Sequence, residues 1–287
     1  MLERSTIQLL RFHFSFFLLP VYLFALSQVL YVHPGKALLI FFILHVLVYP
    51  ASNGFNSYMD RDSGPIGGVR APLTPGRQLL YASVVMDLVA VLLGLLVSIW
   101  FSMALLVYIL ASRAYSDRRV RLKKYPWLSY GVVALCQGAL VFWMTYHGSH
   151  MKQPFNVPLT GMLASSLLIA GSYPLTQVYQ HEADQADGVR TISMVMGHKG
   201  TFRLSAIMFN LAFIVLGLHF GLQLELERFF WLLLIELPVL AYFLYWARLV
   251  WKDKAAADFD HAMRMNLIAA ICTNAGFLMI LIWKYLD

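Results

Sequence analysis

The chain has 287 residues, of which 60% are hydrophobic and 13% are charged. Apolar runs of about 20 residues recur along it, long enough to cross about 30 Å of hydrocarbon as helices, so the composition excludes an ordinary water-soluble domain and indicates a polytopic membrane protein. The net charge of +7 lies mainly at the ends of the runs, where basic residues face lipid headgroups, which argues against nucleic-acid binding. Cys136 and Cys272 lie inside apolar runs, without the spacing of a metal or redox motif.

Nine apolar runs predict nine membrane-spanning helices in an all-α fold. Residues 79–115 would form one helix of about 55 Å, nearly twice the thickness of the hydrocarbon core, so we expect a tight turn near residues 100–102. The predicted spans are residues 11–32, 37–56, 79–100, 102–115, 127–146, 157–179, 203–223, 229–249 and 266–284.

The basic residues predict the orientation of these spans. When the loops are assigned to alternate sides of the membrane, nearly all of the 22 Lys and Arg residues fall at the N-terminus and in the loops that follow the even-numbered spans. Because Lys and Arg collect on the cytoplasmic side, we expect the N-terminus in the cytoplasm. The exceptions are Lys36, Lys152, Arg228 and Lys284.

Polar residues follow two of the apolar spans. If the second helix continues past Pro50, three polar side chains recur at helical spacing and share one of its faces. A similar stripe follows the sixth span, four spans later, which suggests duplicated halves over residues 1–125 and 126–265 within a single domain, followed by a ninth helix. The two stripes are Asn53, Asn56 and Asp60, and Gln180, Asp184 and Asp187.

Facing carboxylates repel one another unless a cation lies between them. Oxygen ligands without thiols or clustered imidazoles suit Mg²⁺ or Mn²⁺, and Mg²⁺ commonly completes its shell with phosphate oxygens. Basic residues lie in the same loops, and each could bind a phosphate group or could simply set the topology. Asn53 could equally cap a helix end. A metal-bridged diphosphate is the simplest ligand that uses both kinds of charge.

These residues resemble the UbiA superfamily of intramembrane prenyltransferases. The family has an NxxxDxxxD motif after its second helix, of which Asn56 and Asp60 match the first two positions. Its second motif, DxxxD after the sixth helix, matches at Asp184, which precedes the segment DGVRT. The loop YSDRRVRLKKYP is similar to the family's YSxPPxRLKxxP loop. The sequence departs from the family at Gly64 and Gln180, which stand where carboxylates are expected.

The resemblance implies nine helices around a central cavity and transfer of a polyprenyl group from its diphosphate to a lipophilic acceptor, with Mg²⁺ or Mn²⁺ assisting loss of diphosphate. The acceptor is expected to be aromatic, and the protein to lie in the bacterial inner membrane. The implied catalytic residues are Asn56, Asp60 and Asp184. The implied metal ligands are Asp60, Asp62, Asp184 and Asp187. The implied substrate-binding residues are Asn53, Arg70, Tyr115, Arg119, Lys123 and Arg190.

Two other functions remain open at the level of the sequence. A secondary transporter would also show duplicated halves, although its binding groups would lie near the middle of the membrane rather than at helix ends. A member of the family with weakened catalysis would explain Gly64 and Gln180. Two acids inside spans, Asp87 and Glu236, suggest a function or a buried partner. Asp87 could contact the acceptor or pair with another helix.

Overall fold

The computed structural model describes residues 2–286, and within that range it contains helices and two isolated β-bridges but no strand. This confirms the predicted all-α fold. In chain order the helices are α1 (Arg4–Gln28), α2 (Pro34–Asp60), α3 (Arg77–Val97), α4 (Ile99–Ser116), α5 (Pro126–Ser149), α6 (Leu159–Ser172), α7 (His181–Ala186), α8 (Ile192–Leu222), α9 (Leu226–Ile235), α10 (Leu237–Lys252) and α11 (Phe259–Trp283). Short 3-10 or π-helical segments interrupt α1, α2 and α5, over Phe12–Leu18, Phe42–Val48 and Leu135–Leu140.

Seven helices of the described range are long and apolar enough to cross a membrane. An eighth span is obtained when α9 and α10, which are bent by 44° relative to each other, are taken together. The sixth predicted span, residues 157–179, contains the 14-residue α6 and a 3-10 segment over Tyr173–Gln177. Together these two pieces would extend about 31 Å at the usual rises of the two helix types. Because Pro158 and Pro174 limit α6 to 14 residues, fewer helices in the described range are long enough to span a membrane as regular α-helices than the nine predicted.

The break between the third and fourth spans lies slightly before the predicted position. Ser98 has an extended backbone, with φ −168° and ψ 160°, and separates α3 from α4. Its hydroxyl accepts a hydrogen bond from the backbone N–H of Phe101 at 3.0 Å, which caps the start of α4. The two-span interpretation of residues 79–115 is therefore confirmed.

The second helix continues past Pro50, as predicted, and ends at Asp60. A proline ring normally clashes with the carbonyl four residues earlier. Here the π-helical turns over Phe42–Val48 precede it and widen the local backbone. The helix ends where Arg61 adopts the left-handed conformation, with φ 54°. This extension places the first polar stripe on a regular helix.

Aromatic packing holds the bundle together at the end remote from the two polar segments. The ring of Phe24 in α1 stacks on Phe277 of α11 at 4.6 Å and meets Phe142 of α5 edge-on at 5.1 Å. Helices α5 and α6 are in close backbone contact at Gly138, where an added Cβ would lie 2.4 Å from the Cα of Ser166. We refer to the other end of the bundle, which contains Asp60, as the motif end.

Candidate active site

The two polar segments meet at one end of a cavity of about 810 Å³ inside the bundle. Most of the lining is apolar and comes from the helices that surround the cavity. The polar side chains of the motif end that line it include Asn53, Asn56, Asp60, Asp62, Lys123, Gln180 and Asp184. The fold thus brings together residues that lie more than 100 positions apart in the chain.

Hydrogen bonds fix the first motif on the cavity wall. The Asn56 side-chain amide donates to Asp60 Oδ2 at 2.8 Å and to the hydroxyl of Ser116 at 2.9 Å. The Lys123 ammonium lies 2.6 Å from Asp60 Oδ1, and both of these side chains are buried. Helix α4 and the loop after it therefore hold the polar end of α2 in place, and a lysine neutralises its carboxylate.

Asn53 lies about two turns before the end of α2, so it is not a cap of that helix. Its side-chain nitrogen is buried and has no hydrogen-bond partner within the described structure. Its backbone carbonyl accepts a hydrogen bond from Arg11 at 3.3 Å. An amide donor at a cavity wall without a partner is suited to an anionic ligand, because a buried unpaired donor otherwise destabilises the fold.

The second motif does not continue the sixth span as a helix, contrary to the stripe predicted for residues 180–187. The chain passes through the 3-10 segment and then forms the separate short helix α7. Gln180 and Asp187 flank this helix as its caps. Asp184 nevertheless faces the cavity together with Gln180, whose amide lies 3.4 Å from the carbonyl of Pro65.

Asp187 lies behind the cavity wall and is held by basic residues of the loop after α4. It forms an ion pair with Arg121, and the Lys123 ammonium lies 3.9 Å from the same carboxylate. Arg118 approaches its other oxygen at 3.9 Å. Lys123 therefore stands between the carboxylates of the two motifs, Asp60 and Asp187.

The carboxylates of the motif end perturb one another electrostatically. Burial, together with the negative charges of Asp62, Asp60 and Asp187, raises the pKa of Asp184 to about 7, although Lys123 opposes this. Burial and the charge of Asp60 likewise raise the pKa of Asp62. An added cation would favour the ionised form of both groups, because it would offset this repulsion.

These residues fit Mg²⁺ as part of a diphosphate complex rather than as a metal in an all-protein cage. Within residues 2–286, no three His, Cys, Asp or Glu side chains come close enough to hold a metal by themselves. Mg²⁺ is commonly bound by one or two carboxylates with phosphate oxygens and water completing the shell. Two mutually repelling carboxyl groups on the cavity, Asp62 and Asp184, match that requirement.

The predicted basic residues have different surroundings. Lys123 is buried in the site, whereas Arg119 and Arg190 are exposed and lie outside the cavity lining. Arg70 is also exposed; it pairs with Asp260 at the start of α11 and lies over the ring of Phe259. The loop after α4 turns through a left-handed residue, Arg121, and of the two basic residues predicted in this loop Lys123 reaches the cavity lining whereas Arg119 does not.

Several residues of the site were not predicted. Arg11 is buried, lines the cavity and donates to the carbonyl of Gly67 at 3.2 Å. The sequence did contain a sign of this role, because Arg11 is a single charged residue near the start of an apolar span. A charged residue in such a segment usually has a function or a buried partner. Tyr115, which was predicted, lies 2.6 Å from Tyr173, hydroxyl to hydroxyl, and both line the cavity.

The two intramembrane acids have different partners. Asp87 of α3 forms an ion pair with Arg113 of α4, whose Nε lies 2.9 Å from Asp87 Oδ2. This is the interhelical pair that was one of the two predicted possibilities. Glu236, at the bend between α9 and α10, is buried and lines the cavity.

The sequence model of the UbiA prenyltransferase family matches residues 16–268. The chain belongs to the UbiA prenyltransferase family. The bacteriochlorophyll synthase 33 kDa chain of Cereibacter sphaeroides is 26% identical over 170 residues, which cover 58% of this chain and 56% of that protein. The present chain therefore spans little more than half of that relative's length.

Solved structures of UbiA homologues share the fold. A UbiA homologue from Archaeoglobus fulgidus bound to DMAPP and Mg²⁺ aligns with a TM-score of 0.70 at 19% identity, covering 96% of this chain and 99% of that one. The apo structure of a UbiA homologue from Aeropyrum pernix K1 aligns with a TM-score of 0.71 at 16% identity, covering 93% and 97%. The chain is an integral, multi-pass membrane protein with the UbiA fold.

Proposed function

We propose that the protein transfers a polyprenyl group from its diphosphate to a lipophilic, aromatic acceptor within the membrane. The observation that carries this proposal is the meeting of two acidic motifs and a buried lysine at the polar end of a long apolar cavity. A prenyl diphosphate matches this cavity because it has a multiply charged head for the polar end and a hydrocarbon tail for the apolar part. The Archaeoglobus homologue, which is bound to DMAPP and Mg²⁺, supports the same class of donor substrate.

The residues of the motif end would bind and orient the diphosphate. Lys123 offers an ammonium, and Asn53 on the cavity wall has an amide donor without a partner. Asn56 keeps Asp60 oriented through their hydrogen bond. Donors in a largely water-free site stabilise negative charge more strongly as it develops on the leaving group. Arg70, Arg119 and Arg190 could attract the anion from the surface.

Asp60, Asp62 and Asp184 would hold Mg²⁺, or Mn²⁺, with Asp187 as a neighbouring carboxylate. When bound, such a metal neutralises charge on diphosphate oxygens and so assists their departure. The C–O bond of the donor breaks with both electrons going to diphosphate, the new bond forms between the prenyl carbon and the acceptor, and the acceptor loses a proton. The apolar wall, which includes Phe14, Phe17 and Tyr115, excludes water from the allylic cation.

We propose that the protein lies in the inner membrane of a bacterial cell, and the loop charges support an orientation with the motif end and the N-terminus in the cytoplasm. A charged prenyl diphosphate made in the cytoplasm would then reach the site without crossing the bilayer. A cysteine introduced at Lys124, which is exposed in the loop after α4, tests this orientation. Its reaction with a membrane-impermeant thiol reagent is measured in intact cells. Labelling from the outside would contradict it.

The function is tested by incubating the purified protein with labelled geranyl diphosphate, Mg²⁺ and a panel of lipophilic aromatic acceptors. We expect a prenylated product and released diphosphate, and a loss of at least about a hundredfold in Asp60→Ala and Asp184→Ala. Asp253→Ala, which removes an exposed acid that does not line the cavity, is the matched control. Absence of both transfer and diphosphate release would identify a family member without this activity, and full activity in both alanine variants would refute the assigned roles.

A further inference from the structure

The cavity contains a second polar position, far from the two motifs. Glu236 is 8% exposed and lines the cavity beside the leucines of the bend between α9 and α10. Pro238 follows two residues later and lacks the N–H that would continue the helix, which accounts for the 44° bend at this point. The bend turns the Glu236 side chain into the cavity instead of leaving it on the surface.

The position of Glu236 along its helix shows how deep it lies. It precedes the 16 residues of α10, which extend about 24 Å at the rise of an α-helix. Thr273 on α11 is 14 residues from the start of that helix, or about 21 Å. The start of α11 is tied to the motif end by the pair between Arg70 and Asp260. Glu236 and Thr273 therefore lie well inside the bundle, about 20 Å along their helices from the ends that lie toward the motif end.

The partners of Glu236 are few. The Thr273 side chain, which also lines the cavity, lies beside it and within its reach. Within the part of the chain that the structure describes, no ion pair joins it to a basic residue. A carboxyl group at this depth is costly unless its hydrogen-bonding capacity is used. One threonine hydroxyl leaves part of that capacity open toward the cavity.

We propose that Glu236 and Thr273 bind a hydroxyl group that the acceptor carries at its end away from the atom that is prenylated. A prenyl tail is pure hydrocarbon and offers this pair no partner. A hydroxyl can both donate and accept, so it satisfies the carboxyl group whether that group is ionised or protonated. The proposal rests on the proposed function and narrows its acceptor to long, lipophilic molecules with a remote hydroxyl.

Two alkylphenols serve as probes for the experiment. Each carries a long alkyl chain on the phenol ring; one has a hydroxyl at the far end of that chain, and the other lacks that hydroxyl. Their affinities are measured on the full-length protein in lipid nanodiscs, with and without bound geranyl thiolodiphosphate and Mg²⁺. In the unmodified protein we expect the hydroxylated probe to bind about tenfold more tightly, the effect of one hydrogen bond to a buried polar or charged group.

Three variants test whether the carboxyl group of Glu236 causes the preference for the hydroxylated probe. Glu236→Leu should reduce the ratio of the two affinities to about one, whereas Glu236→Gln, which keeps a hydrogen-bonding group of the same size, should retain most of it. Asn210→Leu is the matched control: Asn210 also lines the cavity, but its amide already donates to the Ala206 carbonyl of its own helix at 2.8 Å. The ratio should not change in this variant.

Two outcomes would overturn the proposal. The first is equal binding of the two probes by the unmodified protein, and the second is a preference that persists in Glu236→Leu. Binding of geranyl thiolodiphosphate, followed separately, shows that each variant is folded. If that diphosphate fails to bind the unmodified protein, the proposed prenyl transfer is wrong, while the comparison of the two probes still decides the role of Glu236.

Discussion

The buried pair between Asp87 and Arg113 should contribute to stability mainly by satisfying charges that the fold has already buried. The side chains are only 11% and 17% exposed. Arg113 also lies 4.1 Å over the ring of Phe55 and approaches the carbonyl of Ala51 at 3.4 Å. Removing one partner of such a pair leaves an uncompensated charge, which costs about 3–5 kcal/mol. Asp87→Leu should therefore lower the free energy of unfolding by that amount.

The double variant Asp87→Leu with Arg113→Met provides the decisive comparison. Apolar side chains of similar volume can replace a buried ion pair at little or no cost, so its free energy of unfolding should return to within about 1 kcal/mol of the unmodified protein. Equilibrium unfolding in mixed micelles of a mild detergent and SDS measures all three proteins. A single variant that loses less than about 1 kcal/mol, or a double variant as unstable as the single one, would refute this reasoning.

Three further predictions concern the site and its scaffold. Asp62→Asn should weaken Mg²⁺-dependent binding of geranyl thiolodiphosphate at least about tenfold in calorimetry, whereas Gly64→Asp should not change it, because Asp62 lines the cavity and Gly64 does not. Since the pKa of Asp184 is about 7, Mg²⁺ affinity should fall as the pH is lowered from 8 to 6, and Asp184→Asn should remove that part of the dependence. Gly138→Ala should lower the melting temperature, because its Cβ would overlap the Ser166 backbone, while Gly131→Ala meets open space and should not.

The helices and the first motif could be predicted because both depend on local sequence. Apolar runs of sufficient length give helices in a membrane whatever surrounds them. Asn53, Asn56 and Asp60 share a face because α2 continues through Pro50 as one helix. Helical spacing is then sufficient to predict which side chains point together.

The arrangement of the loops could not be predicted in the same way. Arg121 pairs with Asp187 while Arg119, which was predicted to bind substrate, stays exposed, because the loop after α4 turns through a left-handed residue that no periodicity indicates. The second motif lies on a separate short helix, since the sixth span ends early in a 3-10 segment. The placement of such residues depends on contacts between segments far apart in the chain, such as Gln180 with Pro65.

The lysine between the two motifs affects how the protein can be handled. Because the ammonium of Lys123 lies 2.6 Å from Asp60 and 3.9 Å from Asp187, the chain supplies its own counter-ion where the two acidic segments approach each other. The bundle therefore does not depend on a divalent ion to close its motif end. Membranes washed with a chelator should still yield folded protein, and metal can be returned at a chosen concentration for titration.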